Sequence, residues 1–391
     1  MTYQLVAPRI LHIGGGSIAE LPALLAKLGL RRPLIVTDPT MVRTGLIRRC
    51  QEPLETAGIV ADLFSDTVPE PSDTVIHASV GHIGPAHDCL IAFGGGSPMD
   101  TAKAMAILAA GPPGAKMRDF KVPAQADHAR LPVIAIPTTA GTGSEVTRFT
   151  VITDAERGEK MLISGLGALP LAAIVDYELT FTVPPRTTAD TGVDSLTHAL
   201  EAYVSRRANP VSDALARTAM ALIGRHLRTA FREPQNAAAR EGMMLGATTA
   251  GMAFTNSSVA LVHGMSRPIG AHFHVPHGLS NAMLLPALTR WSMPASLARY
   301  AEAARQIGVA EPGDADADAA RHLAETLVQL NRDLGVPTPA GFGIAEAEWN
   351  ARLPLMAEQA LASGSPANNP RVPSADEIVA LYQEVWTGTQ N

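Results

Sequence analysis

Cysteine is almost missing. Among 391 residues only Cys50 and Cys89 carry thiols, too few for a disulfide framework or a thiolate zinc cluster. Both are expected to be small buried hydrophobes. Charge is sparse at 17% of residues, and a net value of −6 leaves no basic patch for nucleic acid. No block of like charges marks a tail or a membrane-surface helix. Long apolar runs are lacking as well: none approaches the ~18 residues of a membrane span. The N-terminal MTYQLVAPRILHIGGG does not follow the charged-then-apolar order of a signal peptide. A cytoplasmic protein with neither nucleic-acid nor membrane partner is the expectation.

What is present describes a globular chain, 46% hydrophobic and too long for one ordinary core. RILHI, PLIVT, CLIAF, LPVIAIP and AAIVD read as buried strands of a mostly parallel sheet, separated by amphipathic stretches such as residues 18–30 and 98–111. Strand and helix in alternation predict an α/β domain with right-handed crossovers. Beyond Pro184 the pattern turns Ala/Leu-rich and helical, near 187–205, 211–231, 235–253, 277–290, 296–307 and 316–334. The boundary is placed at TFTVPPRTT, giving an α/β domain over residues 1–183 and an all-helical one over 184–391. Thr187 or Thr188 is the expected cap of the first helix there.

Two loops carry ligand chemistry. In CLIAFGGGSPMDTAKA a strand runs into Gly94, Gly95, Gly96 and Ser97, and a helix is expected from about Pro98. Consecutive glycines admit a ligand close to the backbone, and the N–H groups of the helix start attract phosphate. The spacing is not GxGxxG, so a plain tight turn is the alternative. PTTAGTGSEVT follows another strand with five hydroxyl residues, suited to a nucleotide or to a hydroxyl-rich turn. Asp38 ends PLIVTD, where a carboxylate accepts from ribose hydroxyls and disfavours a 2′-phosphate, or simply starts the next turn.

The helix TTADTGVDSLTHALEAYVS presents Asp194 and His198 one turn apart, with Asp190 and Glu201 near the same stripe. Apolar neighbours Val193, Leu196, Ala199, Leu200 and Tyr203 predict burial, and a buried aspartate–histidine pair needs a partner or a metal. LVHGMSRPIGAHFHVPHGLSN holds four of the twelve histidines: His263 in an apolar helical segment, His272, His274, and His277 at the start of another helix. Asp194, His198, His263 and His277 make a set of one carboxylate and three imidazoles, suited to Fe(II) or Zn(II) with positions left for substrate.

GGGSPMD, PTTAGTGSEVT, DSLTHALEAYVS, LVHGM and VPHGLSNAMLLP, in this order, resemble the iron-containing (group III) alcohol dehydrogenase family over roughly residues 5–385. The resemblance implies a Rossmann-like α/β domain followed by an all-α domain, in a dehydroquinate-synthase-like architecture. It implies NAD(P) and one divalent metal in the cleft between them, and a homodimer or larger oligomer. By motif, Asp194, His198, His263 and His277 match the metal ligands. Gly94, Gly95, Gly96, Ser97 and Asp100 match the pyrophosphate loop. Thr138, Thr139 and Ser144 match the second nucleotide loop, Asp38 an NAD-preferring position, and Lys160 a cofactor-contacting lysine. Phe149, Val151 and Phe254 are candidate lining residues.

The implied reaction is hydride transfer between NAD(P) and a small primary alcohol or hydroxy acid, or the corresponding aldehyde or ketone. Its rivals are a dehydroquinate-synthase-like lyase, a metal-dependent hydrolase and a non-catalytic nucleotide sensor. One departure stands out. Many members carry histidine where this chain has Arg267, and arginine cannot relay protons as imidazole does. His274, and beside it His272, is the candidate to stand in. Arg267 itself is expected either to recognise a substrate carboxylate, as in a hydroxy acid or semialdehyde acid, or to pair with a protein carboxylate, or to point away where Pro268 disturbs the helix.

Overall fold

The computed structural model describes residues 2–387. One compact unit spans Leu5–Val183 and a second begins at Pro184.

The first unit is built on a six-stranded parallel sheet. Its strands are β1 (Ile10–Ile13), β2 (Pro33–Val36), β3 (Asp62–Phe64), β4 (Cys89–Gly94), β5 (Val133–Pro137) and, after the antiparallel hairpin β6 (Phe149–Asp154) and β7 (Glu159–Ser164), β8 (Ala172–Val175). The order across the sheet is β1-β8-β5-β4-β2-β3. The inner strands β2, β4, β5 and β8 are buried along their whole length, so they read as unbroken apolar runs. Helices α1 (Leu21–Leu28), α2 (Pro39–Arg43), α3 (Arg48–Thr56), α4 (Asp73–Ser79) and α5 (Gly96–Leu108) complete the unit. From β2 the chain steps to β3 on one side, whereas β4, β5 and β8 follow on the other. The switch point therefore lies between β2 and β4, where open α/β sheets bind ligands. Asp38 follows β2, Gly94 closes β4 and Thr138 follows β5, so the three loops leave adjacent carboxyl ends.

All five expected strands form. The hairpin and β3 were not anticipated. The edge strand β3 has three residues, two of them exposed, and carries little apolar signal. The helix expected from Pro98 begins two residues earlier, at Gly96.

The second unit is all helical: α6 (Pro185–Val204), α7 (Pro210–Arg232), α8 (Ala237–Thr255), α9 (Leu261–Phe273), α10 (His277–Ser292), α11 (Leu297–Ile307), α12 (Asp316–Asp333), α13 (Pro339–Phe342), α14 (Glu346–Ala362) and α15 (Ala375–Thr387). The start of α6 corrects the expectation of a threonine cap. Pro184 occupies the cap and Pro185 the first helical position, with no side-chain cap bond. A proline there costs nothing, because its missing N–H is one the helix leaves unpaired anyway. Asparagine side chains cap α7 and α8 in the ordinary way.

Small residues explain how these helices come close. A Cβ on Gly192 of α6 would stand 2.2 Å from Leu227 of α7, and one on Gly242 of α8 would stand 2.2 Å from the His226 ring of α7. At Gly278, the second residue of α10, it would lie 2.3 Å from the Asp190 carbonyl oxygen of α6. That last approach brings the start of α10 onto α6, next to Asp194.

Candidate metal centre and nucleotide loops

Helix α6 is buried on nearly every side, so its polar residues need partners within the protein or a ligand. Asp194 and His198 project one turn apart from it. His263 is the third residue of α9 and His277 the first of α10. The three histidine Nε2 atoms converge on one oxygen, Asp194 Oδ1: His263 at 3.4 Å, His277 at 3.7 Å and His198 at 3.8 Å. Ligand atoms of Asp194, His263 and His277 all lie within 4.8 Å of one another. All four residues expected as ligands are therefore brought together. Burial opposes ionisation of Asp194, but the surrounding imidazoles outweigh it and hold the carboxyl well below its usual range.

Three neighbours organise the group. Glu201, one turn beyond His198 on the inner side of α6, pairs with His263 Nδ1 at 2.6 Å and accepts the backbone N–H groups of Ala260 and Val262. A proton held on Nδ1 leaves the Nε2 lone pair directed at the centre. Burial works against protonation of His263, yet Asp194 and Glu201 raise its pKa. Phe254 stacks on His198, with ring centroids 4.3 Å apart. Asn281, one turn after His277, donates from Nδ2 to Asp194 Oδ1 at 2.6 Å and lies 3.2 and 3.3 Å from the Nε2 atoms of His263 and His277. Its Oδ1 is buried with no hydrogen-bond partner among the described residues.

These observations fit a divalent ion. A buried carboxylate and three imidazoles without thiolate suit Fe(II) or Zn(II). The outer carboxylate orients one ligand, and an orphaned amide oxygen remains beside them. Sequence reasoning placed Glu201 near this stripe without its bond to His263, and it missed Asn281; only its i+4 spacing from His277 pointed there.

The other residues of the histidine-rich stretch separate. His272 bonds Gln359 through Nε2 and receives Arg352 at Nδ1. His274 is exposed and closes α9 in the left-handed conformation, φ 54°. Neither shares a hydrogen bond or ring contact with the four converging residues, so the expectation of His274 as a stand-in proton relay finds no geometric support. Helix α9 runs on through Pro268 to Phe273, so Pro268 does not turn Arg267 aside. Arg267 is buried, and Nη1 donates to Ser365 Oγ at 3.1 Å.

In the α/β unit, two GGG segments follow strands and only one remains open. After β1, the Asp176 carboxylate accepts the N–H groups of Gly16 and Ile18, and a Cβ on Gly15 would meet Tyr177 at 2.9 Å. After β4, Gly95 is the N-cap of α5 and supplies no side-chain cap. A Cβ on Gly95 would make only ordinary contact with Thr139, at 3.5 Å. Protein packing does not demand glycine there, whereas a phosphate approaching the helix start does. Gly94 has φ 146°, and a Cβ on Gly96 would press on Thr142 at 2.9 Å. Thr142, absent from the sequence-based set, thus faces this turn with Thr139.

The remaining expected cofactor residues serve the loops. Ser97 Oγ accepts the N–H of Glu70, and Thr138 is buried beside Met41. Asp100 accepts from Ser144 Oγ and from the Val151 N–H, and desolvation raises it to about 6 despite nearby Lys103. Lys103 is fully buried and donates to oxygens of Ser144, Thr147 and Phe149, tying down the second loop. Ser144 is held between Lys103 and Asp100, and Lys160 pairs with Glu70. Asp38 caps α2 through Oδ1, accepting from Thr40 and Met41, while Oδ2 lies toward Gly94. Phe149 and Val151 belong to β6.

Comparison with known proteins agrees over the whole length. The family model for iron-containing alcohol dehydrogenase matches residues 8–177, and the C-terminal model of the Fe-containing alcohol dehydrogenase family matches residues 188–386. Lactaldehyde reductase of Escherichia coli (strain K12) is 35% identical over 388 residues, 99% of this chain and 100% of that protein. A crystal structure of 1,3-propanediol oxidoreductase superposes with a TM-score of 0.92 at 33% identity, covering 98% of this chain and 100% of the other. The sulfoacetaldehyde reductase of Bifidobacterium kashiwanohense, solved with NAD+, gives 0.86 at 30% identity and covers 99% of each chain. The chain belongs to the iron-containing alcohol dehydrogenase family and is a metal-dependent alcohol–aldehyde oxidoreductase of that fold.

Proposed function

We propose that this enzyme interconverts a small primary alcohol or hydroxy acid and its carbonyl form, with NAD(H) as hydride carrier and Fe(II) or Zn(II) as the metal. The reduction consumes one aldehyde, one NADH and one proton and returns one alcohol and one NAD+. The observation that carries the reading is the convergence of His198, His263 and His277 on Asp194. The bound groups supply Lewis acidity toward the substrate oxygen and a hydride donor or acceptor. Asp194, His198, His263 and His277 hold the ion, Glu201 fixes the His263 ring and Phe254 shields His198 from water. The open turn Gly94–Ser97 takes the pyrophosphate, with Thr139 and Thr142 at its rim. Asp100, Lys103 and Ser144 keep the neighbouring loop in shape, and Lys160 is the proposed outer cofactor contact.

NAD is preferred over NADP because the Asp38 carboxylate repels a 2′-phosphate. The relative solved with NAD+ supports that choice. Relatives that carry the names of reductases and dehydrogenases support the redox reading over a lyase, hydrolase or sensor. No described helix is long and apolar enough to cross a membrane, and a cytoplasmic homo-oligomer is the proposed form. The test is absorbance at 340 nm with NADH or NADPH and a panel of small aldehydes, using chelator-stripped protein reloaded with Fe²⁺ or Zn²⁺. Turnover that requires the metal is expected. Absence of turnover with every aldehyde, in both cofactors and both metals, overturns the proposal.

A further inference from the structure

Arg267 sits one turn beyond His263 on α9, ~6 Å further along the axis at 1.5 Å per residue. It is 8% exposed. Apart from Nη1 to Ser365 Oγ, its N–H groups have no acceptor among the described residues, and no carboxylate there lies within ion-pair reach. Glu201 acts on it only at longer range, with both oxygens committed to Ala260, Val262 and His263. Burial draws the guanidinium down to about 10, which leaves it cationic at neutral pH. Of the alternatives open to Arg267, pairing with a protein carboxylate and deflection at Pro268 both fail on this geometry.

The guanidinium has one neutral hydroxyl as its protein partner, and its Nε and Nη2 are not sealed from solvent, so this edge is left for water or a ligand to meet. With Nη1 engaged, the Nε–H and Nη2–H groups remain side by side, the edge that meets two oxygens of a carboxylate or sulfonate. Ser365 is itself 4% exposed and firmly placed. The Pro366 ring packs where Gly264 has no side chain, and Asn368 Nδ2 bonds Ser258 Oγ and the Val259 carbonyl just before α9. The turn that carries Ser365 is thus fastened to the helix that carries His263 and Arg267.

We propose that Arg267 and Ser365 form an oxyanion subsite beside the metal centre, and that the preferred substrate is a short aldehyde or alcohol with a carboxylate or sulfonate at its far end. This rests on the redox reading above and names its substrate class. A nucleotide phosphate offers the same oxygen chemistry, so the experiment separates the two sources.

The metal-loaded enzyme is assayed with NADH on succinic semialdehyde and on butanal. Wild type is expected to favour the charged aldehyde by about 10- to 100-fold in kcat/KM, the range of a charge-assisted bidentate contact. Arg267→Gln collapses that ratio, and Ser365→Ala reduces it severalfold. In wild type alone, succinate is expected to compete with succinic semialdehyde but not with NADH, and neutral succinamide not to inhibit; this pattern decides the matter if Arg267→Gln does not fold. An unchanged ratio in Arg267→Gln, a wild type indifferent to charge, or a raised KM for NADH with equal losses on both aldehydes overturns the subsite. The last result assigns Arg267 to the nucleotide. Turnover of butanal without charge preference sinks only the subsite, whereas no turnover of these two or of any other aldehyde in the panel, with either cofactor and either metal, sinks the redox reading.

Discussion

Replacing Glu201 by glutamine isolates the contribution of a residue that does not itself ligate the ion. Glu201 is buried and accepts from His263 Nδ1 at 2.6 Å, Ala260 N–H at 2.9 Å and Val262 N–H at 2.6 Å. Glutamine keeps the shape but offers one accepting oxygen, so its NH₂ must oppose at least one of those three donors. A buried donor left without its acceptor costs about 1–3 kcal/mol. At about 2–4 °C per kcal/mol for a unit of this size, the melting temperature of the metal-free protein should fall by several degrees. If the opposed donor is His263 Nδ1–H, the ring is no longer held with its Nε2 lone pair toward Asp194. Outer carboxylates of this kind typically contribute about 10- to 100-fold to metal affinity. Zn²⁺ competition against a chromogenic chelator measures the affinity, and Co²⁺ absorption reports the coordination geometry. Glu201→Ala removes both accepting oxygens, and affinity within about twofold of wild type in that variant as well would refute the orienting role. A loss of stability without that loss of affinity would mean that Glu201 only anchors the start of α9.

Two further outcomes follow from the α/β unit. Gly95→Ala adds a Cβ with only ordinary protein contacts, so the melting temperature should hold, while NADH binding by calorimetry weakens by about tenfold or more, at least 1.4 kcal/mol; unchanged binding would remove the close phosphate approach. Around the β6–β7 hairpin, burial opposes ionisation of Asp154 and Glu159. Hydrogen bonds from Arg157 N–H and Arg118 to Asp154, and from Lys121 and Arg118 to Glu159, outweigh it and depress both carboxyls. Their stabilisation is therefore complete above the ordinary values of 3.8 and 4.5 and is lost as pH falls below them. The melting-temperature gap between wild type and Arg118→Met should be constant from pH 7 to 5 and close toward pH 3. A gap independent of pH would refute that account.

Residues whose partners lie within a turn or two were legible in the sequence. Asp194 and His198 share a helix face, and their apolar neighbours announced burial. The inner strands declared themselves because a parallel sheet covered on both faces needs continuous apolar runs. What stayed hidden depends on tertiary approach. Ser365 reaches Arg267 across 98 residues, and Glu201 reaches His263 across 62. The hairpin escaped because β6 alternates in burial and is closed by charged residues, Asp154 and Glu159, that suggest a surface loop until Arg118 and Lys121 are seen beside them.

The two GGG segments make the same point about binding. Both follow a strand and both precede a helical turn, so composition ranks them equally. They differ in whether the protein has already used the donors that a phosphate would take. Asp176, 160 residues away, fills the first turn with its own carboxylate, and the Tyr177 ring occupies the space above Gly15. Among the described residues no carboxylate or ring fills the turn at Gly95, where a Cβ would meet only Thr139 at 3.5 Å. An open helix start is thus a property of residues elsewhere in the chain that leave it alone, just as the guanidinium of Arg267 matters because no carboxylate among the described residues comes to meet it. In both places the bonds the protein withholds from its own groups, more than the residue types, are the ground on which a charged ligand is proposed.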